Sequence, residues 1–142
     1  MTAVFVVFAA PAPAMAADNW HRMCGYEFAS CQTGVKAGLV DADQCMTASG
    51  GLYGHSTQVC VKYDGDYVYV RDGQADGHSA IGVIESDNGN VIKRHCRNPY
   101  GSGTWAKCNF NWSESGYKWV GGGYLANFDS MPREWLWKFT NN

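Results

Sequence analysis

Several function classes are excluded by what this chain lacks. It has no C-x-x-C pair, the close spacing that structural zinc sites use. H-E-x-x-H, G-x-S-x-G and a phosphate-cradling glycine loop are missing too, and with them the common signatures of metalloproteases, serine hydrolases and nucleotide binders. Gly121-Gly-Gly123 does not replace such a loop, because the Lys and Ser/Thr that engage phosphate and metal do not follow it. Charge of one sign is scarce: 11 basic residues stand against 13 acidic ones, a formal net charge of −2. Nucleic-acid binding calls for a basic stripe, so nucleic acid is not an expected partner. The short cluster Lys93-Arg94-His95 would be divided between the two faces of a strand. The longest apolar run, residues 4–10, falls well below the ~20 residues of a membrane span. Nothing in the residue pattern asks for a metal or another cofactor.

What is present points outside the cell. The apolar run at residues 4–10 is followed by Pro11-Ala-Pro-Ala-Met-Ala16, and Ala14-Met15-Ala16 has the small-x-small form of a leader cleavage site. Residues 1–16 therefore read as a secretory signal, although no Lys or Arg precedes Arg22. All six cysteines follow it: Cys24, Cys31, Cys45, Cys60, Cys96 and Cys108. An even count behind a leader reads as three disulfides in an oxidising, extracellular compartment. The count alone does not choose among the pairings.

The organisation changes near residue 57. Residues 17–59 hold three of the six cysteines, with Cys60 directly after them, and no long helical periodicity, and read as a disulfide-rich extension shaped by its cross-links. Residues 20–30 suggest a short helix, residues 35–46 a helical turn or short strand, and Asp41-Ala-Asp43 a helix N-cap. From Thr57 the pattern alternates, with Thr57, Val59, Val61 and Tyr63 on one face. Asp64-Gly65 marks a tight hairpin turn. Further Gly-containing turns then separate short strands, which fits a small β-barrel. The tail carries Trp135, Trp137 and Phe139 in alternation with Leu136 and Lys138. The favoured reading is a last strand that closes or flanks the barrel; the other is an exposed aromatic strand offered to a partner.

Three segments resemble the bacterial SH3-like (SH3b) domain family. Val70, Arg71 and Gly73 fall on that family's Val, Arg and Gly, and Ile81, Gly82 and Ile84 on its second strand. Gly103-Thr-Trp-Ala-Lys-Cys108 is similar to its Gly-Trp-Tyr-Lys-Val strand, and the segment from Gly116 to Leu125 to its closing motif. Tyr69, Gln74 and His78 depart from the pattern. The resemblance implies a small SH3-like barrel over residues 60–127, with 17–59 as the extension and 128–142 as an aromatic tail. It also places Cys108 in an inward slot. Residues 91–96 and 105–110 flank a turn-rich segment and are expected to pair as a hairpin. Together these arguments pair Cys96 with Cys108 and leave Cys24, Cys31, Cys45 and Cys60 to pair among themselves.

A family of this kind binds rather than catalyses, so the chain is not expected to be an enzyme. His55 or His78 near Asp76 could form a His–Asp base, but scattered histidines are more often surface residues. Asn111-Trp112-Ser113 matches a glycosylation sequon and reads as a polar turn. The expected ligand-binding residues lie on the loop after the first barrel strand and on nearby rings: Tyr69, Asp72, Asp76, His78, Tyr100, Trp112 and Tyr117. Trp105 and Trp119 are expected in the core. The function that follows is a secreted binding module for cell-wall peptidoglycan or a related extracellular polymer. The alternative is a protein-interaction adaptor in a secreted complex, as a toxin or inhibitor component.

Overall fold

Alternation in the sequence becomes pairing in space. The computed structural model describes residues 19–52 and 55–140; the expected leader at residues 1–16 lies outside them. Thr57, Val59 and Val61 alternate inward along β4 (Thr57–Lys62), and Val68 and Val70 do the same along β5 (Tyr67–Arg71). The two strands pair antiparallel across the Asp64-Gly65 turn, where Gly65 and Asp66 both take positive φ, 92° and 56°. The Asp66 N–H donates to the Tyr63 carbonyl and closes the turn, and Gly65 takes the left-handed conformation that glycine adopts without steric cost.

Among the described residues, ten strands form two five-stranded sheets. The back sheet runs β2 (Val35–Ala37), β8 (Trp105–Asn109), β5, β4, β3 (Gln44–Ala48). The front sheet runs β1 (Ala29–Thr33), β7 (Lys93–Asn98), β6 (Ser79–Ser86), β9 (Tyr117–Leu125), β10 (Arg133–Thr140). The chain is thus mostly β, as expected, but the sheets are not closed into a barrel. Residues 17–59 are not an appendage either. β1 pairs with β7 in parallel, β2 with β8 and β3 with β4, so this segment supplies edge strands to both sheets. The expected helix over residues 20–30 shrinks to one 3-10 turn, Arg22–Gly25. Asp43 caps no helix: its carboxylate accepts from the Tyr63 N–H at 2.7 Å and fastens β3 to the end of β4.

The core lies between the sheets. Val59, Val61, Val68 and Val70 from the back meet Ala80, Ile84 and Val120 from the front, with Phe110 and Trp112 at one end. Gly82 is required here, since a Cβ would stand 2.7 Å from Val70 Cγ2. Cys96 and Cys108 do bond, with Cα atoms 5.8 Å apart, but not across a hairpin. β7 and β8 belong to different sheets, so the disulfide bolts front to back through the core. Asn98 reinforces it: fully buried, its amide donates to the Val70 and Thr104 carbonyls across the gap. Cys45 and Cys60 bond as directly opposed residues of β3 and β4, and Cys24 bonds Cys31. Three disulfides fit an oxidising compartment. No helix among the described residues is long and apolar enough to cross a membrane.

The Cys24–Cys31 bond also holds a lid on half of the front sheet's outer face. Trp20 packs on Ile81 and Val83 with Met131 and Leu125, and His95 is buried beneath Trp20 and His21, with ring centroids 6.3 and 6.1 Å away. Burial, helped by the positive charges of His21, Arg133 and Lys93, lowers the His95 pKa to about 3. The folded protein therefore holds a neutral imidazole that the unfolded chain protonates near pH ~6.5. Its contribution is complete above that pH and is lost as pH falls from there towards 3, by up to about 1.4 kcal/mol per pH unit. Urea unfolding of the wild type between pH 7 and 4.5 should show that slope, and His95→Phe should flatten it by about one proton; an unchanged slope would place the effect elsewhere. Replacing Cys96 and Cys108 together by Ala should cost about 3 kcal/mol or more by the same measurement.

Candidate functional site

The expected ligand-binding residues do not converge. Tyr69 and Trp112 are buried, at 4% and 3% exposure, so neither ring presents a surface. Tyr69 lies between Cys60 and Lys107 on its neighbouring strands, and Trp112 packs edge-on against Phe139. Tyr69 is expected at the surface beside the loop, but it lies in the interior of β5 with β4 and β8 on either side and is buried. Tyr100 is exposed, although its hydroxyl donates to the Gly34 carbonyl at 3.0 Å. Tyr117 is exposed on the opposite sheet.

Asp72, Asp76 and His78 do share a loop, and the structure brings His55 and Tyr124 to it. Gly73 allows this, because a Cβ there would stand 2.2 Å from the Ser56 carbonyl oxygen. Asp72 is buried and accepts from the Gln74 N–H, and burial raises its pKa. Asp76 accepts from the His78 N–H at 2.8 Å through one oxygen and pairs with His55 Nδ1 through the other. Burial alone would raise the Asp76 pKa, but the His78 N–H and His55 hold it below the usual carboxylate value. His55 stacks on Tyr124 with centroids 3.6 Å apart. The pair orients an imidazole, yet no described hydroxyl or thiol hydrogen-bonds its other ring nitrogen.

A second constellation lies on the open half of the front sheet. Tyr117 and Trp119 project outward from β9, with ring centroids 6.1 Å apart. Trp135 joins them from β10 and lies over Gly121, where a Cβ would come within 3.1 Å of the indole. The three rings are 47, 36 and 44% exposed. Trp119 is therefore not core, and Trp105 is only half-buried. Gly121 to Gly123 form no closing turn but run through the middle of β9, and Gly121 makes the flat seat for Trp135.

Trp135 reaches this face because of a β-bulge. The register with β9 shifts between Trp135, opposite Gly121, and Trp137, opposite Val120. Trp137 and Phe139 consequently pack on the core together with Leu136, while Trp135 turns out. Strict alternation assigned all three rings to one face, and no residue in the tail announces the extra one. Cations rim the platform: Lys138 Nζ sits 4.8 Å from the Tyr117 ring centroid, and Arg133 Cζ 5.1 Å from that of Trp135. A cavity of about 470 Å³ opens between Glu85, Trp119 and Trp135.

The cluster Cys24, Cys31 and His95 has atoms close enough for a metal, but both sulfurs are committed to the disulfide. No protein-family model, curated protein or solved structure matches the chain.

The loop cluster makes a stability statement. Asp76→Ala removes the acceptor for the His78 N–H and the partner of His55. It should cost about 1–2 kcal/mol in urea unfolding at pH 7 and speed amide exchange at His78. The difference should shrink as pH falls below the ordinary carboxylate value, because a depressed Asp pKa stabilises only above it. Equal stability at pH 7 would show that the pairing carries no net energy.

Proposed function

We propose that this chain is a secreted, non-catalytic module that binds an extracellular polymer, cell-wall peptidoglycan or a related glycan, on the Tyr117, Trp119 and Trp135 platform. The observation that carries the reading is three exposed rings side by side on a sheet whose inner face is packed. Stacking rings offer the apolar faces of sugars a large contact at little conformational cost, and a row of them suits a repeating chain. The rings are set by backbone pairing rather than by a loop, so little order has to be gained on binding. Support also comes from the sequence, because Tyr117 and Trp119 lie in the segment that resembles the closing motif of SH3b domains, a family of binding modules. The loop of Asp72, Asp76 and His78 then serves as structure, its polar atoms engaged with one another and with His55.

Sedimentation with purified cell walls and with insoluble glycans tests this directly. The wild type should co-sediment with at least one of them. Trp119→Ala and Trp135→Ala should each weaken that binding by about 2 kcal/mol, roughly thirtyfold, without changing the thermal melt by more than a few degrees. Wild-type binding by a folded Trp119→Ala Trp135→Ala double variant would move the site off this face.

A further inference from the structure

We propose that the polymer on this platform is an acidic glycan, whose uronic-acid residues place their carboxylates in a cationic socket beside Trp135. The inference rests on the platform reading and specifies its ligand. On the outer face, next to the aromatic cavity, lies a second cavity of about 170 Å³ whose walls include His21, Lys93, His95, Asp129 and Arg133. The two adjoin through shared neighbours. Arg133 stacks on Trp135, and Lys93 stands opposite Glu85 in the β6–β7 register.

The charges in the socket do not cancel. Asp129 is paired with Arg22 at 3.6 Å, and Glu85 with Lys93 at 3.9 Å. Arg133 has no ion-pair partner among the described residues, and its Nε is buried without a hydrogen bond. His21 is 5% exposed, and its Nε2 is likewise buried without one. Because His21 Nδ1 accepts from the Met23 N–H, a neutral ring carries its proton on Nε2. Two buried N–H groups that lack acceptors are costly, and both belong to residues lining one small cavity. A carboxylate drawn into it supplies the counter-charge that Arg133 lacks. A guanidinium suits this role, because its planar fork matches a carboxylate.

The guanidinium stands close to the ring on which a sugar would stack. Arg133 Cζ is 5.1 Å from the Trp135 ring centroid. A carboxylate borne directly on a stacked sugar ring reaches that position. The socket therefore reads a uronic acid rather than a neutral sugar.

The test compares three polyuronates, polygalacturonate, alginate and glucuronan, each as the free acid and as its methyl ester, by isothermal titration and affinity electrophoresis with the full chain. The wild type should prefer at least one free acid over its ester by about tenfold or more, the scale of one charge-assisted contact. Arg133→Gln should erase most of that preference, and Lys93→Gln should reduce it. Trp119→Ala should weaken acid and ester alike. Equal binding of acid and ester, or binding to peptidoglycan but to no polyuronate, would overturn the acidic-sugar assignment and leave the platform standing. Binding to no glycan or wall preparation would remove both. If Arg133→Gln does not fold, the acid-to-ester preference of the wild type and of Lys93→Gln still decides.

Discussion

The disulfide between Cys96 and Cys108 is the constraint on which the arrangement of the two sheets depends. It joins β7 of the front sheet to β8 of the back sheet inside the core. The chain has only six residues, 99–104, in which to cross from one sheet to the other. Asn98, at the start of that crossing, hydrogen-bonds a back-sheet carbonyl. The spacing and register of the sheets are thereby fixed near their centre. With Cys96 inward, His95 and Arg97 must point outward along β7, and the β6 and β9 partners inherit the same phase. The face that carries Glu85, Trp119 and Gly121 is therefore a consequence of how the core is bolted.

That outer face is then divided. Its half near Ile81 and Val83 is roofed by Trp20 and Met131, and the Cys24–Cys31 bond holds the roof beside His95. The other half stays open: Tyr117 and Trp119 remain 47 and 36% exposed, although the Lys138 amine lies over the Tyr117 ring. The boundary between roofed and open halves is where Arg133 and Lys93 sit. An apolar patch beside a partly desolvated cation gives a ligand both contact area and a strengthened electrostatic contact, since charges at such a boundary are less screened than in open water.

Much of the centre of the fold was legible in the residues. The valines of β4 follow from local alternation and the Asp64-Gly65 turn from turn chemistry, whereas the pairing of Cys96 with Cys108 came from the SH3b resemblance together with an expected hairpin. The reason given for that pairing did not survive, because a hairpin and a cross-sheet staple bring two cysteines equally close and leave the same trace in sequence. The edges were illegible for a different reason. β2 is three residues long, and β1 pairs in parallel with a strand some sixty positions away, so no local period reveals either one. The site was harder still. Trp135 is turned outward by a bulge that depends on its pairing with β9, and Tyr69 is covered by neighbours distant in sequence. Only Asp72, Asp76 and His78 came together as expected, because they share one loop and need no long-range register.

The two constellations differ in what binding would cost them. The 72–78 loop is already internally satisfied: Asp76 accepts from the His78 N–H and pairs with His55, while Asp72 accepts from the Gln74 N–H. A ligand there would have to replace bonds that exist, and the gain is only the difference between old partners and new. On the front sheet the situation is reversed. Tyr117, Trp119 and Trp135 keep a large part of their area in water, and the buried nitrogens of His21 and Arg133 lack acceptors. A ligand on the proposed platform would remove apolar surface from water without displacing the bonds that hold the sheets. The same register that keeps the rings in place keeps the backbone still, so the free energy of those contacts is not spent on ordering the protein. That difference is the reason we place the proposed recognition on the sheet face and not in the polar loop.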